Sequence, residues 1–185
     1  MWRLILAFID VAFHKRGPDE MPASQFLFSL VIASFLATGL FSLSLSDPAE
    51  RFLELNILGI RLYLGFVGLI VLELFFDIIF IWGVLKAFGH SHRFLQTATA
   101  LFGAQTMVGL TRIPILVWID ASRNLGNNSM IGVFIYLALF IWTMDIAAFI
   151  LAKASEKTYF VGTLIVVGYV MMSFAIRDYM FPLTG

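Results

Sequence analysis

The sequence predicts an all-α polytopic membrane protein, with five transmembrane helices preceded by an amphipathic helix in the membrane interface. Three observations carry that prediction. Of 185 residues, 61% are hydrophobic and only 13% are charged, against roughly 25% charged in an average soluble domain. The apolar residues gather into runs long enough to cross a hydrocarbon core, which takes about 20 residues. The polar breaks between those runs are too short to hold a soluble domain, so residues 1–185 read as a single transmembrane domain.

The elements follow in chain order. Across residues 1–16, Trp2, Leu4, Ile5, Phe8, Ile9 and Phe13 stand against Arg3 and Asp10, a pattern suited to a helix lying in the interface. This stretch runs into "HKRGPDEMP" without a small-residue cleavage site and does not resemble a signal peptide. Pro18 and Pro22 stop the surface helix, and Ser24 stands near the start of the first span. The spans are expected at about 23–45, 57–85, 94–119, 130–152 and 158–181. Turn chemistry separates them: Asp47 and Pro48, Gly89, Gly126 with its asparagines, and the charged hairpin "KASEK". Pro114 is expected to kink the third span and release backbone groups near Arg112. Gly65, Gly68, Gly103, Ala104, Gly162 and Gly168 either allow close helix approach or reflect the ordinary abundance of small residues in membrane helices. Trp82, Trp118, Tyr159 and Tyr179 fall near span ends, as interfacial anchors do.

Charge placement sets the expected orientation. With the amino terminus inside, Arg3, Lys15, Arg16, Lys86, Arg93, Lys153 and Lys157 are cytoplasmic, while Arg51, Arg123 and Arg177 are outside and Arg61 is near the interface. The excess of basic residues favours a cytoplasmic amino terminus and an outward carboxyl terminus. "NNS" at 127–129 then matches a glycosylation acceptor pattern on the outer side.

Composition also excludes functions. The net charge is zero and no basic block runs along the chain, so no electrostatic footprint for nucleic acid exists. Cysteine is absent, which removes disulfides, thiolate metal sites and cysteine catalysis. No nucleophile stands with a base, no zinc motif lies on a helix and no glycine-rich phosphate loop is present. Neither an enzyme nor a cofactor is expected. His90 and His92, two apart in "GHSHR", are weak metal candidates, to which His14 adds a ligand only if the amino-terminal helix docks nearby.

The informative residues are ionisable groups inside the spans, which are costly there and usually face a bundle interior or an aqueous cavity. Glu73 and Asp77 lie one helical turn apart, and Gln105 and Arg112 share a face of the third span. With Asp145 on the fourth span they form an expected buried polar cluster. Counting about 1.5 Å per residue puts Glu73 near the midplane, Asp77 and Asp145 about 5–6 Å to the cytoplasmic side, and Arg112 about 9 Å to the outer side. Three functions stay open for the cluster. It is a structural ion pair of Arg112 with Glu73 and Gln105, or a proton or cation relay through Asp77 and Asp145, or an amphipathic groove for a partner helix or lipid headgroup. In the relay, an acid buried without a cation is neutralised by a proton.

Beyond these physical signals, "FLQTATALFGAQTMVGLTRIPILVW", the opening "HKRGPDEMPAS" and "LFIWTMDIAAFILAKASEKTYFVGTLIVVGYVMMSF" resemble the bacterial branch of the Yip family, membrane proteins named for interaction with Rab-type GTPases. The resemblance implies a multipass scaffold or organiser of the bacterial inner membrane, with no catalytic residues to transfer. The Asp-Leu-Tyr-Gly-Pro signature and the long cytosolic amino-terminal region of the eukaryotic members are missing, so Rab binding does not carry over. The resulting expectation is a non-enzymatic inner-membrane protein that binds lipids, copies of itself or another membrane protein. The alternative is a small ion-coupled transporter or channel subunit using its buried carboxylates.

Overall fold

A computed structural model describes residues 2–45, 59–124 and 130–180, and all of its regular structure is helical. The elements are α1 (Trp2–Ala12), a 3₁₀ turn (Pro18–Glu20), α2 (Gln25–Leu45), α3 (Gly59–Ala87), a second 3₁₀ turn (Ser91–Arg93), α4 (Phe94–Asn124), α5 (Met130–Ala154) and α6 (Tyr159–Met180). The five long helices begin and end within a few residues of the apolar runs that forecast them. Among the described residues, three helical segments are long and apolar enough to cross a membrane: Gln25–Ser42, Ser91–Ser122 and Met130–Ala154. A shorter apolar stretch covers Tyr159–Ala175. The Asp47–Pro48 and Gly126–Ser129 breaks, and the side chains of Arg51, Arg61, Arg123, Arg177 and Tyr179, lie outside the described residues.

Local chemistry satisfies the backbone at the helix ends. The Leu27 N–H donates to Ser24 Oγ at 3.3 Å, so Ser24 caps α2. Within the helices, Ser29, Ser34, Thr38, Thr97 and Thr106 donate their hydroxyls to the carbonyl four residues earlier. A polar side chain thereby sits in an apolar surrounding without an unmet donor. Three helices end in the same motif, a residue of left-handed backbone flanked by two reversed hydrogen bonds. Gly89 fills that position after α3 (φ 79), but His14 after α1 (φ 59) and Glu156 after α5 (φ 55) are not glycines. A left-handed side-chain-bearing residue is strained and persists where its surroundings hold it. Here both residues make ion pairs to other elements.

The hub is α4, packed along α2 and α5 and crossed by α1, while α5 and α6 form the closest antiparallel pair. Phe102 in α4 is fully buried and meets the Phe35 ring of α2 edge-on at 5.2 Å. Two glycines act at close approaches: a Cβ at Gly103 would strike the Phe8 ring, and one at Gly162 would strike the Ala148 backbone carbonyl. Gly68 and Gly168, by contrast, face open space. The expected interfacial helix is more than a surface feature, since α1 buries Phe8, Val11 and Ala12 against α4 and α5 while Ile5, Leu6 and Phe13 point outward. Its i, i+3, i+4 spacing serves a protein surface as well as it would serve a lipid one. Helix α4 runs through Pro114 as one element, at the cost of the hydrogen bond that residue 114 cannot donate.

One end of the bundle is locked by polar contacts. Gln96 Nε2 donates to the carbonyls of Asp19 (3.3 Å) and Met21 (3.0 Å), and Trp142 Nε1 donates to Ala12 O at 3.3 Å. Arg93 reaches Glu156 at 2.7 Å, His90 lies 3.4 Å from the same carboxylate, and the Lys157 ammonium sits over the Phe88 ring. Helix α3 is held more sparingly, touching α4 and α2 at few places. Where it stands off, the bundle is hollow.

Candidate functional site: a charged cavity inside the bundle

That hollow is a cavity of about 430 Å3 lined by all five long helices. Helix α2 contributes Phe35, Thr38 and Ser42, and α3 contributes Glu73, Asp77, Phe80 and Ile81. From α4 come Leu101, Gln105, Gly109, Arg112 and Leu116, a single face at three- and four-residue spacing. Tyr136, Phe140, Thr143, Met144 and Ala147 enter from α5, and Val166, Tyr169 and Val170 from α6. Four of the five expected cluster residues, Glu73, Asp77, Gln105 and Arg112, therefore border one space, but Glu73 is exposed rather than buried and the other three are half-buried.

The acidic wall is built on α3 and buttressed by α6. The Tyr169 hydroxyl donates to Asp77 Oδ1. Its ring is held between Phe76 (5.6 Å, stacked) and Phe80 (4.9 Å) of α3. Aromatic packing thus fixes the phenol that orients the carboxylate. Glu73, one turn away, adds a second acid to the same wall.

The basic wall is built on α4 and α5. Arg112 Nη2 donates to Thr143 Oγ1 at 2.6 Å and reaches the Leu139 carbonyl at 3.4 Å, and the guanidinium carbon lies 5.7 Å from the Tyr136 ring centre. Thr143 passes its own proton to Leu139 O at 2.8 Å, leaving its oxygen lone pairs to accept from Arg112. The expected partner of Arg112 was Glu73. Instead the guanidinium is carried by neutral acceptors and an aromatic face on α5. Its Nε is buried and makes no hydrogen bond.

Asp145 does not join the cavity. It accepts from the Tyr159 hydroxyl through Oδ1 and lies 3.3 Å from His14 Nε2 through Oδ2, with 38% of its side chain exposed. The reason is angular. The cavity face of α5 carries residues 140, 143, 144, 147 and 151, and two residues beyond Thr143 is about 200° around the helix. Depth arithmetic placed Asp77 and Asp145 together, yet they face different neighbours. His14 stacks on Phe149 at 4.3 Å and so belongs to this outer contact. His90 and His92 have ring centres 6.1 Å apart, and His90 Nε2 is engaged by Glu156. No group of three His, Cys, Asp or Glu side chains converges as a metal site among the described residues.

Sequence reasoning overlooked Tyr136, Thr143 and Tyr169. A signal was present, because a hydroxyl in the middle of a run such as "VVGYVMM" or "FIWTMD" must find a partner inside an apolar medium. Matched against protein-family models, curated proteins and solved structures, the chain finds no counterpart.

Proposed function

We propose that the chain is a five-span protein of the bacterial inner membrane, amino terminus cytoplasmic, that takes a small polar solute or cation into its bundle as a non-enzymatic transporter or channel subunit. The observation that carries this reading is the cavity itself. A roughly 430 Å3 space bordered by two carboxylates, an amide and a guanidinium is more room than a structural ion pair needs. It lies within the usual range of about 300–1,000 Å3 for ligand pockets. Charged side chains within spanning helices most often line such a pathway. Asp77, oriented by Tyr169, is the group that exchanges a proton or meets a cation. Asp145 has no part in that relay.

The topology is testable because the chain has no native cysteine. Lys157→Cys should be shielded from a membrane-impermeant maleimide in intact cells, and Ser129→Cys should react. The opposite pattern reverses the orientation. For the function, the full chain reconstituted in vesicles with internal pH-sensitive and sodium-sensitive dyes and an imposed potential should speed proton or sodium entry over empty vesicles, and Asp77→Asn should abolish the gain. Flux equal to that of empty vesicles would remove the transport reading.

A second reading is the scaffold or organiser, in keeping with the proposed Yip-type kinship. It is supported by the large apolar side chains that α5 turns outward, among them Met130, Ile131, Phe134 and Ile141, which suit acyl chains or another membrane protein. A stoichiometric protein recovered with the chain in mild detergent, together with absent flux, would select it.

A further inference from the structure

We infer that the cavity binds a zwitterion with an apolar body, its ammonium group against the Asp77 wall and its carboxylate or phosphate against Arg112. The inference rests on the reading of the cavity as a binding chamber and names the chemistry that fits it.

Opposite charges border one space from different helices. Asp77 and Glu73 come from α3, and Arg112 comes from α4 with its supports on α5. Helix registry links the acid and the base through α5 and α6. Gly162 sits against Ala148 in the antiparallel α5/α6 pair, so seven residues on, Tyr169 stands near residue 141, between the Leu139 and Thr143 that hold Arg112. Tyr169 holds Asp77. The acid and the base are therefore both tied to the stretch of α5 around residue 141, one through Tyr169 of the adjoining helix and the other through Thr143.

Each wall alone repels part of what the other attracts. A simple cation satisfies Asp77 but faces Arg112, and a simple anion satisfies Arg112 but faces two acids. A molecule carrying both charges satisfies both walls and brings no net charge into the bundle, which avoids the cost of burying an unpaired ion. The Nε of Arg112 is buried without an acceptor in the protein, so the guanidinium has a donor to spare for an oxyanion once the side chain turns toward the cavity. Between the walls, Phe35, Phe80, Phe140, Met144 and Val166 offer apolar surface, which calls for a hydrocarbon portion. Two sources share this chemistry: an apolar amino acid and the headgroup region of an ethanolamine phospholipid.

The test uses the full chain, purified in mild detergent and in nanodiscs, with radiolabelled leucine as probe. The competitors are 4-methylpentanoate, which lacks the ammonium, and isopentylamine, which lacks the acid. Leucine should bind, and each single-charge competitor should be weaker by about tenfold or more, the scale of one charge-assisted contact. Asp77→Asn should erase the preference for leucine over 4-methylpentanoate while leaving the preference over isopentylamine. Arg112→Gln should do the reverse. This reciprocity separates recognition from misfolding, because an unfolded variant loses both preferences and is then replaced by Asp77→Glu and Arg112→Lys, which should retain leucine. If leucine does not bind but phosphatidylethanolamine is retained over phosphatidylglycerol by the native chain, and by neither charge-removing variant, the ligand is the lipid headgroup. Equal binding of leucine and a single-charge competitor, or retention of neither zwitterion, would overturn the inference. Binding of leucine with neither ion flux nor leucine uptake into vesicles would leave the inference standing and remove transport.

Discussion

The two halves of this bundle solve the problem of polar groups among apolar helices in opposite ways. At the end where α1, the 88–93 junction and the 154–159 hairpin meet, side chains are small and closely packed. Thr97, Ala98, Thr99, Ala100 and Ser155 are fully buried, and polar atoms such as the Gln96 amide and the Trp142 indole are spent on backbone carbonyls of neighbouring elements. Around Asp77 and Arg112 the same helices part, and each charged side chain is held from one neighbouring helix at the border of a cavity. Close packing removes degrees of freedom, whereas the hollow keeps charged groups oriented and accessible. The contrast teaches that α4 belongs to both regimes: its first turns are core and its later turns are cavity wall.

The largest test of the packed half is Phe102→Ala. This side chain is fully buried, and its removal should cost about 3 kcal/mol or more, read as a fall in the thermal midpoint of the purified protein. A loss under about 1 kcal/mol would mean that this half is looser than its packing indicates. Next comes a pair of adjacent residues on opposite sides of the divide. Ala148 is buried against Gly162 and Ala147 borders the cavity. Ala148→Leu should cost about 1–3 kcal/mol by overpacking. Ala147→Leu should stay within about 0.5 kcal/mol of the native chain while reducing leucine binding, because its added carbons fill the hollow. Similar losses from both substitutions would break the comparison.

Smaller effects sharpen it. Trp142→Phe removes the hydrogen bond to Ala12 O and should cost about 1 kcal/mol, with faster proteolysis between residues 12 and 24. The smallest is electrostatic. The hydrogen bond from Arg93 to Glu156, and then the charges of Arg93 and His90, hold the Glu156 carboxyl below its ordinary value of 4.5. A lowered folded-state value means that the pair stabilises above the ordinary value and is lost as pH falls through the lowered one. The thermal midpoints of the native chain and Glu156→Gln should therefore differ at neutral pH and converge in acid below 4.5. Because Glu156 also bears left-handed backbone, Glu156→Gly should recover part of what Glu156→Gln loses. A pH-independent gap between the native chain and Glu156→Gln would mean that the carboxylate charge contributes nothing.

How much of this was legible depended on the kind of signal. The long helices were readable because length and apolarity are properties of a segment, and "KAFGH" and "KASEK" mark their ends whatever surrounds them. Four cavity residues, three charges and the Gln105 amide, were readable because a strongly polar group inside an apolar run must face something other than lipid. Asp145 obeys the same rule, yet it meets His14 from a helix that sequence reasoning had laid in the interface. The pairing of Arg112 with Thr143 was hidden for a related reason, since any of several acceptors on neighbouring helices would satisfy a guanidinium.

By itself the sequence determined where helices lie, which side chains are too polar for lipid, and how each helix divides into faces, because these follow from hydropathy and a fixed angular period. Only the tertiary structure decided which faces meet. Rotation of a helix about its own axis leaves its composition and length unchanged, so the division into a locked end and a charged hollow emerges when Gly103 admits the Phe8 ring and Gly162 lets α5 and α6 close while α3 stays apart.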